Sequence, residues 1–146
     1  MTERPPKPEG MSWINSYMIV KDMKKSLAFY EQAFGFKTRM TLPDKEGNIT
    51  HAEMEYKDNI LMIGSESPDQ KMLAARTLKG SPVSFYLYVD NIDEFYSRAQ
   101  NAGTEVISKP TDQFWGDRTC TFKCPEGYQW TFAQNVADFD PNNIPG

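Results

Sequence analysis

Two short stretches place hydrogen-bonding and aromatic side chains at every second residue: Asn15, Tyr17 and Ile19, then Ser84, Tyr86 and Tyr88. Residues two apart on a strand share a face, so each triplet reads as one side of a strand. Three tyrosines beside an amide and a hydroxyl suit a wet, ligand-sized concavity. A plain solvent-exposed face is the competing reading, but it does not call for three tyrosines. The segment Phe114, Trp115, Gly116, Asp117, Arg118 adds an indole and a guanidinium in a loop expected at the mouth of the sheet. It reads equally as an aromatic and cationic clamp for a planar or anionic ligand, or as a packed turn with an Arg–Asp surface pair. His51 is the only imidazole, and with Glu53 two residues on it could make a metal-ligand pair or a general acid and base. One histidine with flanking carboxylates is more simply a hydrogen-bonded strand residue. Cys120 and Cys124 read as one strand, where four residues span roughly 13 Å, about twice what a disulfide tolerates. Two free thiols are expected, with spacing too wide for a zinc pair.

The elements that must hold these residues occur twice. Residues 13–20 read as a strand, and 22–34 as a helix with apolar Met23, Leu27, Tyr30, Ala33 and Phe34, capped by Asp22 and stopped by Gly35. A strand at 36–42 follows, then a hairpin of 49–56 with 60–63. The order recurs: strand 83–89, cap Asp90, a helix with Ile92, Phe95, Tyr96 and Ala99, a stop at Gly103, strand 105–108, and a hairpin of 118–123 with 129–132. Val20 and Val89 are 69 residues apart, as are Gly47 and Gly116, while Gly35 and Gly103 are 68 apart. A duplicated βαβββ module is the simplest explanation. The fold class expected is therefore α+β, two βαβββ modules forming a curved mixed sheet with helices on its outer face.

In the first strands Ile14, Met18 and Val20, then Val83, Phe85, Leu87 and Val89, form the parity expected under the helices. In the hairpins, Ala52, Met54 and Tyr56 set against His51, Glu53 and Glu55 do not match Cys120, Phe122 and Cys124 set against Thr119, Thr121 and Lys123, and that face stays unassigned. The organisation expected is an arm at 1–11, a single domain at 12–137 with modules at about 13–64 and 83–134, and a tail at 138–146. The linker at 65–82, with a short helix in its centre, is a plain connection or a lid over a ligand.

The chain has 146 residues, of which 39% are hydrophobic, 25% charged and 13% aromatic. A domain of that size buries roughly 70% of its unfolded surface and needs neither disulfide nor metal for stability. A formal charge of −4 with no Lys/Arg cluster argues against nucleic acid as a partner. No apolar run approaches the ~20 residues that span a bilayer, and the polar, proline-rich N-terminus lacks a signal-peptide core, so a cytoplasmic protein without a membrane partner is expected.

Residues 18–36 (MIVKDMKKSLAFYEQAFGF) and 114–133 (FWGDRTCTFKCPEGYQWTFA) resemble the vicinal-oxygen-chelate superfamily, which includes glyoxalase I, extradiol dioxygenases, fosfomycin-resistance enzymes and bleomycin-binding proteins. With the repeat, the resemblance covers about residues 13–134. Members that do metal chemistry place one ligand on the first and one on the last strand of each copy. The matching positions hold Asn15, Met62, Ser84 and Thr131, none of them His or Glu. No metal and no cofactor are therefore expected. Cys124 stands where an aspartate commonly precedes the last turn of relatives. The resemblance also implies a homodimer.

The function expected is that of a metal-free binder of a small molecule, an aromatic compound or antibiotic. Tyr17, Tyr86, Tyr88 and Trp115 would stack on it, with Met62 and Arg118 nearby, and Asn15, Ser84 and Thr131 would orient it. The alternatives are a metal-dependent lyase, isomerase or dioxygenase, a metal-free acid–base catalyst, and a dimerisation or partner-binding surface whose cleft its own side chains fill.

Overall fold

The computed structural model describes residues 3–145. Each repeat makes a four-stranded mixed sheet. In the first, β1 (Ser16–Val20), β2 (Lys37–Pro43), β3 (Ile49–Tyr56) and β4 (Asn59–Ser65) are ordered β1-β4-β3-β2. Its helix α1 (Met23–Phe29) widens into a π-turn at Tyr30–Phe34. After α2 (Ala75–Leu78), the second repeat places β5 (Phe85–Tyr88), α3 (Ile92–Asn101), β6 (Glu105–Asp112), β7 (Asp117–Lys123) and β8 (Gln129–Asn135) in the sheet order β5-β8-β7-β6. In both, the first strand pairs in parallel with the last and the others are antiparallel. This is the expected α+β architecture of two βαβββ modules, and the two sheets are not closed.

Local chemistry sets the helix ends. Asp22 caps α1 by accepting from the Lys25 amide at 3.1 Å, and Gly35 ends the π-turn at φ +74°. At α3 the cap is Asn91, whose Oδ1 accepts from the Glu94 amide at 3.1 Å, and not Asp90 as the sequence suggested. Asn91 holds the extended backbone a cap requires and lies 69 residues after Asp22, in phase with the strands before both helices. Strands β1 and β5 start later than expected, so Ile14 and Val83 lie outside them and are exposed instead of covered by helices. Strand β6 runs four residues beyond its expected end, through Pro110, where the pairing with β7 is irregular. An edge strand tolerates the missing amide.

The hairpin parities do agree between copies. Ala52 and Met54 are fully buried, as are Cys120 and Phe122, which lie 68 residues later. The turn from β7 to β8 is one residue longer than that from β3 to β4, so strands before and after it keep different separations. Cys120 and Cys124 are buried free thiols.

Two compact units are present, and they do not follow the repeat boundary. One takes the described residues up to Glu31 with Gly35–Ala74, the other Gln32–Phe34 with those from Ala75 onward. The first packs Met18, Val20, Met54 and Ile63 with the stacked rings of Tyr30 and Phe36. The second is an aromatic core in which Phe34 meets Phe132 at 4.7 Å, Phe95 meets Phe132 at 4.2 Å and Phe85 stacks on Trp130 at 4.2 Å. The connecting segment is tied down rather than loose: the Ala74 amide bonds Glu66, and the Arg76 amide bonds the Glu126 carbonyl at 2.6 Å. No helix among the described residues is long and apolar enough to cross a membrane.

Because Phe132 is fully buried among four other rings, Phe132→Ala is expected to cost about 3–5 kcal/mol in denaturant unfolding. A loss below about 1 kcal/mol would show that this cluster is not the core of its unit.

Candidate functional site

In the second unit alternate strand residues divide cleanly. Phe122, Phe132 and Arg118 meet Tyr96, Phe95 and Asp93 of α3, so their parity is the helix-covered face. Tyr86, Tyr88, Thr131, Asp117, Thr119 and Thr121 occupy the other. There Tyr86 and Tyr88, 47% and 55% exposed, point their hydroxyls at one carboxylate oxygen: both donate to Asp117 Oδ2, at 2.7 and 2.8 Å. Two strand spacings, roughly 10 Å, separate β5 from β7. The small, buried Ala133 of β8, opposite Tyr88, leaves the phenol rings room to bridge them.

Asp117 is only 2% exposed, and its remaining partners complete a polar knot. Trp115 Nε1 donates to Asp117 Oδ2 at 3.2 Å and lies 3.1 Å from the Tyr86 hydroxyl, while Asn135 Nδ2 donates to Asp117 Oδ1 at 3.1 Å. Gly116 makes the approach possible. It sits at φ +100°, a Cβ there would fall 2.2 Å from the Ala137 carbonyl oxygen, and its own carbonyl accepts from the amides of Val136 and Ala137. The last strand's continuation thus clamps the turn that aims Asp117 and Trp115.

Burial alone would raise the Asp117 carboxyl, but the bonds from Tyr86, Asn135, Tyr88 and Trp115 outweigh it and hold it below its ordinary 3.8. Burial first, and then the bond to Asp117, push the Tyr86 hydroxyl up to about 12, against a smaller pull from Trp115. The bond to Asp117 is the main cause raising Tyr88. The site therefore carries one fixed negative charge and two phenols that keep their protons.

Other predicted residues fall elsewhere. Arg118 faces α3 and is taken up by Asp93 and Asp112, both at 3.1 Å; its neighbour Asp117 points to the opposite face, so no Arg118–Asp117 pair forms. Thr131 lies across from Tyr86 in register and shares a hydrogen bond with Thr121 at 2.8 Å. Ser84 precedes β5 and is exposed. In the first unit the Tyr17 hydroxyl is 3.2 Å from His51 Nδ1, His51 Nε2 is 3.9 Å from Glu53, and Glu53 is 3.9 Å from Arg39. Tyr17 lies against Gly64, where a Cβ would fall 2.7 Å from its hydroxyl oxygen. Met62 is half-buried on β4 between Tyr17 and Glu53 in register. Asn15 closes a local turn instead, its amide bonding both the Ser12 amide and carbonyl. A separate pocket of about 290 Å³, lined by Gly10, Met11, Arg39, Glu55, Lys57, Asp58 and Ile60, contains none of the predicted residues.

An amide committed to a turn, a thioether and two hydroxyls, one bonded to a neighbouring threonine, stand at Asn15, Met62, Ser84 and Thr131. They do not fit a divalent ion, which takes carboxylates, imidazoles or thiolates. Among the described residues no group of three or more His, Cys, Asp or Glu could hold a metal.

The knot has a defined pH window. Tyr86 is raised when folded, so its contribution is complete below about pH 10 and is lost as pH rises toward about 12; Asp117 is lowered, so its contribution holds above the ordinary carboxylate range and is lost as pH falls below it. Spectroscopic titration should show a tyrosine ionising near pH 12 that moves toward about 10 in Asp117→Asn. The same titration curve in both proteins would contradict the knot.

Known proteins give a consistent placement. The family model described as Glyoxalase/Bleomycin resistance protein/Dioxygenase superfamily matches residues 10–132. An uncharacterized protein of Mycobacterium tuberculosis (strain ATCC 25618 / H37Rv) is 28% identical over 134 residues, 90% of this chain and 79% of that one. TioX from Micromonospora sp. ML1 has a similar fold, with TM-score 0.70 and 22% identity, over 86% of this chain and 99% of that chain. So does TnmS3, an antibiotic binding protein from Streptomyces sp. CB03234, with TM-score 0.64 and 23% identity, over 84% and 93%. By the extent of the model match and the two βαβββ modules, the chain belongs to the Glyoxalase/Bleomycin resistance protein/Dioxygenase superfamily.

Proposed function

We propose that this chain binds and sequesters a flat aromatic small molecule, such as an antibiotic, and does so as a binder and not as a catalyst. The observation that carries the reading is the Asp117 knot: half-exposed rings of Tyr86, Tyr88 and Trp115 whose polar ends are already fixed. Rings held in place before a ligand arrives lose little side-chain freedom on binding, which is how rigid aromatic residues convert contact area into affinity. Thr131 and Ser84 supply hydroxyls beside them, while Tyr17 and Met62 present the corresponding face of the first module. Asn15 and Arg118, bound up in local contacts, have lesser parts.

The same knot argues against proton transfer. Tyr86 holds its proton to about pH 12, and Asp117, held below its ordinary value, has none to give. Similarity in fold to an antibiotic binding protein from Streptomyces supports the ligand class. A cytoplasmic homodimer with a single domain over 12–137 completes the reading. One observation favours a second one, a metal-free acid–base catalyst: the contact of Tyr17 with His51, and of His51 with Glu53. It requires turnover that His51→Gln abolishes.

Titrating the protein with a panel of polycyclic aromatic compounds should quench tryptophan fluorescence, with dissociation constants on the order of micromolar or tighter for the best of them. Trp115→Ala and Tyr88→Ala should each weaken that compound by roughly tenfold, since a stacked ring contributes about 1–3 kcal/mol. Unchanged fluorescence across the panel would overturn the proposal.

A further inference from the structure

Resting on the reading that the Tyr86–Tyr88–Trp115 face takes a ligand, we infer that its ligand is a cation, a flat aromatic molecule carrying a permanent or protonated positive charge. The charge on Asp117 carries this. Its four hydrogen bonds come from two phenols, an indole and an amide, all neutral. Such donors distribute a negative charge without cancelling it. Among the described residues Asp117 has no cationic partner, and the guanidinium next to it in sequence, Arg118, faces α3 with two carboxylates of its own. The face therefore keeps a net charge of minus one, set behind three exposed rings.

The rings pass that charge outward. A phenol donating to a carboxylate gains electron density on its ring, and a cation is drawn to the negative face of such a ring. Tyr86 and Tyr88 meet edge to face, with centroids 5.7 Å apart and planes at 68°, and Phe114 meets Trp115 at 5.1 Å and 88°. Rings at such angles offer faces in more than one direction, as cation-binding aromatic sites do. With their protons committed to Asp117, the two hydroxyls can act toward a ligand only as acceptors, which suits an N–H⁺ group and repels a carboxylate. The chain's formal charge of −4 acts in the same sense. Sequence reading admitted an anionic ligand through Arg118; on this face the sign is reversed.

The test uses three molecules of one shape on the full-length protein: N-methylacridinium, acridine under alkaline conditions where it is neutral, and acridine-9-carboxylate. Calorimetric titration should give the cation at least about tenfold tighter than acridine, with the carboxylate weakest. The margin should shrink as salt is raised and fall to about twofold or less in Asp117→Asn. Should that variant fail to fold, the wild-type ranking and its salt dependence decide alone. Acridine binding as tightly as the cation, or the carboxylate binding best, overturns the inference and leaves aromatic binding standing. If none of the three binds, the ligand reading of the face falls, and this inference with it.

Discussion

A carboxylate that is 2% exposed has lost nearly all of its water, and the cost has to be met by groups fixed in advance. At Asp117 four neutral donors meet it, and much of the second unit follows from that need. The phenols of β5 must reach across β8, which requires a small residue at Ala133. The turn before β7 must double back tightly enough to bring Trp115 over the same oxygen, which requires glycine at 116. Asn135 at the end of β8 must turn inward to the second carboxylate oxygen. What results is a half-exposed aromatic surface whose members are mutually braced, with polarity beneath and π-faces outward.

The duplicated module shows how one scaffold carries two different anchors. Tyr17 corresponds to Tyr86, and both sit on the face away from the helix. Yet the position matching Asp117 holds exposed Asn48, and the one matching Tyr88 holds buried Ile19. With no carboxylate to reach, Tyr17 lies against Gly64 and turns to His51. The glycines differ in the same way: a Cβ at Gly47 would meet nothing, while one at Gly116 would collide with Ala137. The fold is shared and the chemistry is local, as expected where function is grafted on a scaffold.

The repeat, the strand order and most of the core were legible in the sequence because period-two and helical spacings follow directly from backbone geometry. Tyr86, Tyr88 and Trp115 were legible as site candidates on parity and composition. Asp117 was not, for a definite reason. Starting β7 at Arg118 left Asp117 in a loop, where it reads as the partner of its neighbour; inside a strand, adjacent residues point to opposite faces and cannot pair. The hairpin faces were obscured by the one-residue difference in turn length, which shifts the repeat and exchanges the parities. The turn that clamps Gly116 against residues 136 and 137 is long-range and leaves no local signature beyond the glycine itself.

The central claim is that the Asp117-braced rings are the ligand surface, and the three tryptophans can report on it separately. Indole N–H resonances, assigned by single substitutions, should be followed while N-methylacridinium is titrated in. Trp115 lies on the aromatic face, Trp130 is buried in the core on the helix side, and Trp13 is exposed in the first unit. The account predicts that the Trp115 signal shifts strongly and saturably while those of Trp13 and Trp130 stay near their starting positions. A saturable shift confined to Trp13, or none at all, would contradict it.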